Sequence, residues 1–118
     1  MAQLLVIEDD DTVRGLIRVM LENAGHEVLE ASDGEEGVRL YRQKNPDLVI
    51  TDVPLPKKDG LEVMQELRND FPDIKFIVIT THVLPILAKA LQLGARYAFT
   101  KPFRMQKFLS AVEEILAE

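Results

Sequence analysis

Short, continuous apolar runs alternate along the chain with longer stretches whose apolar residues recur at helical spacing. The runs are Leu4–Ile7, Val28–Ala31, Leu48–Thr51, Phe76–Ile79 and Tyr97–Phe99. Most are too continuous for a strand with one wet face, so they predict parallel strands covered on both sides. After the first run, Val13, Leu16, Ile17, Met20 and Leu21 define one helical face, which Asp10 or Asp11 can cap and Gly25 can close. Ser32-Asp33-Gly34 opens a second helix that carries Val38 and Tyr41 and stops before Pro46. Leu61, Met64 and Leu67 mark a third. A fourth runs from about Pro85 to Leu93, with Leu87, Ala90 and Leu91 inward and Gly94 at its end. Phe108, Leu109, Val112, Ile115 and Leu116 form the stripe of a fifth.

Strict strand–helix alternation with right-handed crossovers predicts an α/β fold. It is a five-stranded parallel sheet of order 2-1-3-4-5, doubly wound in the flavodoxin-like manner, with five helices. Ligands of such sheets bind beyond the carboxyl ends of the strands, near the switch point between strands 1 and 3. That directs attention to Glu8-Asp9-Asp10 after strand 1, Asp52 after strand 3, Thr80 after strand 4 and Lys101 just beyond strand 5.

Composition narrows the function. A length of 118 residues suits one domain, 1–118. With no cysteine, disulfides, thiolate nucleophiles and zinc-thiolate sites are excluded. The longest wholly aliphatic and aromatic runs have four residues, far below a membrane span, and the amino terminus lacks the basic region of a secretory signal. A cytoplasmic protein with no membrane partner is expected. Twenty acidic residues against fourteen basic ones give a net charge of -6, which disfavours direct nucleic-acid binding.

Carboxylates converging on one rim repel, and something positive must offset them. Lys101 is one candidate and a hard divalent metal such as Mg2+ the other. Asp10 and Asp11 alone read first as helix caps. Asp52 differs, because the loop after it, with Pro54, Pro56 and Gly60, has no helix start that needs it. An aspartate there can attack phosphorus, while a metal, the Lys101 ammonium and the Thr80 hydroxyl stabilise charge on the transferred group.

The segments Leu-Leu-Val-Ile-Glu8-Asp9-Asp10, Pro46-Asp47-Leu-Val-Ile-Thr-Asp52, Pro56 with Asp59-Gly60, Ile-Val-Ile-Thr80, Leu93-Gly94-Ala95 and Lys101-Pro102-Phe103 resemble the receiver domains of bacterial two-component response regulators. The resemblance implies that Asp52 is the phospho-acceptor and that Glu8 and Asp9 hold magnesium, with a further ligand from the Pro54 carbonyl. It implies that Thr80 is the switch hydroxyl, that Lys101 pairs with the phosphoryl group and that the Lys101–Pro102 peptide is cis. The implied partners are a sensor histidine kinase or phosphotransfer protein and a downstream protein target. A phosphorylation-dependent homodimer is a further output that the resemblance allows, through the surface of helix 4, strand 5 and helix 5.

Two features depart from the family pattern. The switch aromatic falls at Ala98, one position after Tyr97, so either a shifted strand restores Tyr97 to that role or the switch works without a ring. The positions two beyond Asp52 and Thr80 are Pro54 and His82, and His82 is a candidate for positioning or blocking water. A phosphatase of the haloacid-dehalogenase type is disfavoured, since its second aspartate would stand where Pro54 is. A phosphorylation-independent interaction module stays open as the alternative. A nucleotide or flavin cradle is disfavoured by the acidic first turn.

Overall fold

The computed structural model describes residues 2–81 and 84–118. His82 lies outside the described residues. The elements alternate as expected: β1 (Gln3–Ile7), α1 (Asp11–Asn23), β2 (Glu27–Ala31), α2 (Gly34–Lys44), β3 (Leu48–Asp52), α3 (Gly60–Asp70), β4 (Phe76–Thr80), α4 (Leu84–Gln92), β5 (Tyr97–Thr100) and α5 (Met105–Leu116). All strand pairs are parallel and the sheet order is β2-β1-β3-β4-β5.

Strand side chains alternate between two cores, as the two-residue period of a strand requires. Leu5, Ile7, Val49, Phe76 and Val78 pack under α2, α3 and α4 with Tyr41, Val63, Met64, Leu67 and Ala90. Leu4, Val6, Leu48, Ile50, Ile77 and Ile79 face α1 and α5, meeting Ile17, Leu21, Phe108, Val112 and Ile115. The central strands β3 and β4 are buried throughout, which is why their sequences read as unbroken apolar runs.

Local signals set the helix ends. The Asp10 carboxylate accepts from the N–H groups of Thr12 and Val13, so it, and not Asp11, caps α1. Asp33 caps α2, and Asp59 with Glu62 forms a reciprocal capping box on α3.

Two expected inward residues point out. Leu16 is 62% exposed and Leu91 51% exposed. On α1 the apolar stripe is wider than the sheet can cover, and only Ile17 and Leu21 are fully buried. On α4 it is Ala90 that is buried in the sheet-facing core.

Candidate functional site

Because every strand runs the same way, the carboxyl ends of β1, β3, β4 and β5 share one rim. Register brings Ile7 beside Thr51 and Asp52 beside Ile79, so Glu8, Asp52 and Thr80 are next neighbours across three strands. Thr80 pairs with Thr100, and the Lys101 N–H donates to the Thr80 carbonyl at 2.8 Å, which sets the lysine at the same level.

The side chains then close on one another. Lys101 Nζ donates to Glu8 Oε1 at 2.5 Å and to Asp52 Oδ2 at 2.7 Å. The other Asp52 oxygen, Oδ1, accepts from the Val53 N–H at 2.8 Å. The other Glu8 oxygen accepts from the Asp10 N–H at 3.2 Å. Glu8, Asp52 and Thr80 are buried, whereas Asp9 is exposed at the mouth. Burial pushes the Glu8 carboxyl above its usual range, and the nearby Asp52 pushes the same way; Lys101 opposes both without cancelling them. Burial alone would pull Lys101 down, but its hydrogen bonds to Asp52 and Glu8 outweigh burial and hold its ammonium above the ordinary lysine value.

Among the described residues, one carboxylate group is close enough to hold a metal ion: ligand oxygens of Glu8, Asp9 and Asp52 lie within 4.8 Å of one another. The donors fit a hard divalent cation, being all oxygen and all acidic, with one ammonium to balance three carboxylates. Pro54 lies two residues beyond Asp52, exposed on the loop after β3. The Lys101–Pro102 peptide is cis, as the resemblance implies.

Tyr97 is not restored to a switch position. It pairs with Ile77, stacks on Phe99 with ring centroids 6.0 Å apart, and packs in the core facing α1 and α5. The Glu114 carboxylate of α5, near its hydroxyl, raises its phenol above the usual value. Ala98 pairs with Val78 and shares the opposite face with Thr80 and Thr100. On Thr80's face, then, this chain has a methyl group where the family pattern has a ring.

Beside the acidic rim is an apolar groove of about 650 Å³, lined by Leu16, Val19 and Met20 of α1 together with Lys101, Phe103 and Met105. Sequence reasoning missed it by assigning Leu16 to the core. The signal was present in the width of the α1 stripe.

A lysine shared between buried acids at the switch point of a 2-1-3-4-5 sheet is the arrangement of a phosphoryl-accepting signalling domain. The chain belongs to the response regulator receiver domain family, whose sequence model matches residues 4–113. It is 36% identical over 117 residues to the alkaline phosphatase synthesis transcriptional regulatory protein PhoP of Bacillus subtilis, covering 97% of this chain and 48% of that protein. It is 35% identical to protein CcdB of the same organism, over 98% of each chain. A receiver domain crystal structure from Clostridium thermocellum superposes with a TM-score of 0.94 at 32% identity, covering 99% of this chain and 95% of that one. The chain spans about half the length of several curated relatives. No helix among the described residues is long and apolar enough to cross a membrane.

Two outcomes follow from the geometry. Replacing Lys101 with Met strips two buried carboxylates of their cation and should cost about 3 kcal/mol in urea unfolding without metal. Added Mg2+ should recover part of the loss, and an equal loss with and without Mg2+ would argue against a shared cation site. Tyr97→Ala should lower the thermal midpoint, yet leave the beryllofluoride-induced amide shifts of Thr80 and Thr81 as in wild type. Altered shifts would return Tyr97 to the switch.

Proposed function

We propose that this chain, as a single receiver domain over 1–118, takes a phosphoryl group from the phosphohistidine of a sensor histidine kinase or phosphotransfer protein onto Asp52. The observation that carries the reading is the Lys101 ammonium bridging Asp52 and Glu8 at the switch point. Asp52 Oδ2 is the candidate nucleophile; as the new P–O bond forms, the donor's P–N bond breaks and the imidazole leaves with that electron pair. Lys101, bonded to Asp52 Oδ2, would donate to the transferred oxygens, and Thr80, at the adjacent strand end, would follow with its hydroxyl.

Mg2+ is the proposed cofactor, held by Glu8, Asp9, Asp52 and the Pro54 carbonyl. When bound it would neutralise charge on the phosphoryl oxygens. Asp9, exposed at the mouth, is suited to direct ligation, and buried Glu8, already bonded to Lys101 and the Asp10 N–H, to holding a metal-bound water. The chain then catalyses only its own modification, with a cytoplasmic setting and a downstream protein target. Output is read at α4, β5 and α5, with phosphorylation-driven homodimerisation as one form.

The groove beside Lys101 supports a macromolecular donor. Asp52 is nearly closed off, so the donor imidazole must be guided in, and exposed Leu16 and Met105 offer apolar contact for the body that carries it. The phosphorylation-independent module remains as a second reading, favoured by one observation: Ala98 in place of the ring on Thr80's face.

Intact mass after incubation with acetyl phosphate tests the chemistry. A Mg2+-dependent phosphoryl adduct is expected on wild type and not on Asp52→Asn; no adduct together with no Mg2+ binding would favour the second reading. Leu16→Asp should slow transfer from a phosphohistidine protein by about tenfold, roughly one hot-spot contact, while leaving the acetyl phosphate rate unchanged. Equal slowing with both donors would place the defect in the site and not in docking.

A further inference from the structure

The loop between β3 and α3, residues 53–59, carries Pro54 past the acidic rim, and it is pinned at several points. At its start the Val53 N–H is bonded to Asp52 Oδ1. At its end the Gly60 N–H returns to the Val53 carbonyl at 2.8 Å, and a Cβ on Gly60 would lie 2.2 Å from the Asp52 carbonyl oxygen. Between these points the loop leans on the first residue of α2. A Cβ on Gly34 would lie 1.8 Å from the Lys58 carbonyl oxygen and 2.6 Å from its carbon, so backbone meets backbone with no room for a methyl group.

Other bonds hold the same contact. The Pro56 carbonyl accepts from the Lys58 N–H at 2.7 Å and from the Gly34 N–H at 3.4 Å. Lys57 takes a left-handed φ of 69° and its ammonium lies 3.7 Å from the Asp33 carboxylate. Lys58 is ion-paired to Glu66 of α3. Pro54 and Pro56 have fixed φ angles, which removes two of the torsions through which the loop could absorb a displacement at Lys58.

We propose that Gly34, remote from the acidic cluster in sequence, is a positioning residue for the metal centre. Its lack of a side chain lets α2 seat against Lys58 and so fixes the Pro54 carbonyl relative to Glu8, Asp9 and Asp52. The inference rests on the metal ligation given under Proposed function. Mg2+ tolerates little misplacement, because it requires near-octahedral ligands at about 2.0–2.1 Å. An alanine methyl at Gly34 must push the loop or α2 aside by more than that tolerance.

The test is calorimetric titration of the 118-residue protein with Mg2+, alongside urea unfolding in EDTA. Gly34→Ala should weaken Mg2+ binding by about tenfold or more, the usual loss when support for a metal ligand is removed. Gly37→Ala is the control on the same helix: the atoms nearest its Cβ would be those of the Ile7 side chain, with Cδ1 at 2.4 Å, and not loop backbone. It should lose stability but lose less Mg2+ affinity than Gly34→Ala, because Ile7 Cδ1 is the far end of a side chain that can shift in the core while the Lys58 backbone cannot. Asp9→Asn tests the ligation itself, and undiminished binding in that variant would overturn both the ligation and the positioning role. With Asp9→Asn weakened as expected, wild-type affinity in Gly34→Ala would overturn the role of Gly34 alone. An equal fall in affinity in Gly34→Ala and Gly37→Ala would overturn that role as well. Should Gly34→Ala fail to fold, Pro56→Gly loosens the exposed strut without a clash. A severalfold weaker Mg2+ affinity is then expected, and an unchanged one would overturn the proposal.

Discussion

One ammonium held between two buried carboxylates is the interaction on which the rest of this structure depends. Lys101 reaches Glu8 and Asp52 from a third strand end, and each contact is short. Without it the sheet would end in a cluster of like charges, and at an effective dielectric of 20 a pair of them about 4 Å apart repels by about 4 kcal/mol. With it the cluster is still short of positive charge, since one ammonium faces the carboxylates of Glu8 and Asp52 and a third, Asp9, stands at the mouth. The site is therefore tolerable when empty and favourable toward a cation, a combination that a fully neutralised cluster would not have.

Holding that arrangement is the task of the scaffold. Parallel register places three strand ends side by side, and the two cores lock each strand from both faces. The loops are less well covered, and close backbone contacts hold them where a core cannot. Gly60 against the Asp52 carbonyl and Gly34 against Lys58 are such contacts, and each works because a side chain is missing.

Much of this was legible in the sequence. The five runs gave the strands to within a residue, and Asp33 and Gly94 marked helix ends that the structure shares, whereas the Asp59–Glu62 capping box of α3 went unread. Glu8, Asp9, Asp52, Thr80 and Lys101 could be named because strand ends in a parallel sheet must meet at one rim. What was not legible depended on quantities a linear pattern does not contain. Leu16 and Leu91 fit helical periodicity, yet how wide a stripe the sheet covers is a property of packing, and both face out. Tyr97 could not be assigned to a face until its register with Ile77 was fixed, and the closeness of Gly34 to Lys58 joins two loops 24 residues apart.

The position of Tyr97 bears on how any change at Asp52 would be felt. Under the proposed chemistry, a phosphoryl group would present new oxygens where Lys101 now meets Asp52, and Thr80 is the hydroxyl one strand away. Thr80, Val78, Ala98 and Thr100 share the face over which α4 lies, whereas Tyr97 packs against the core under α1 and α5. A ring bound into the opposite core cannot follow a hydroxyl on this one. The element left to respond is α4; among its described side chains Ala90 is fully buried, Ile86 packs partly against the same core and Leu91 is in solvent. The strand beneath it, β4, is buried throughout, so a rearrangement at the Thr80 end is more readily taken up by the covering helix than by the sheet, since local openings are drawn from the less buried elements of a fold. In this chain the response at Thr80 would pass to what lies over its own face, the helix α4, and not to the rotamer of an aromatic side chain on the other.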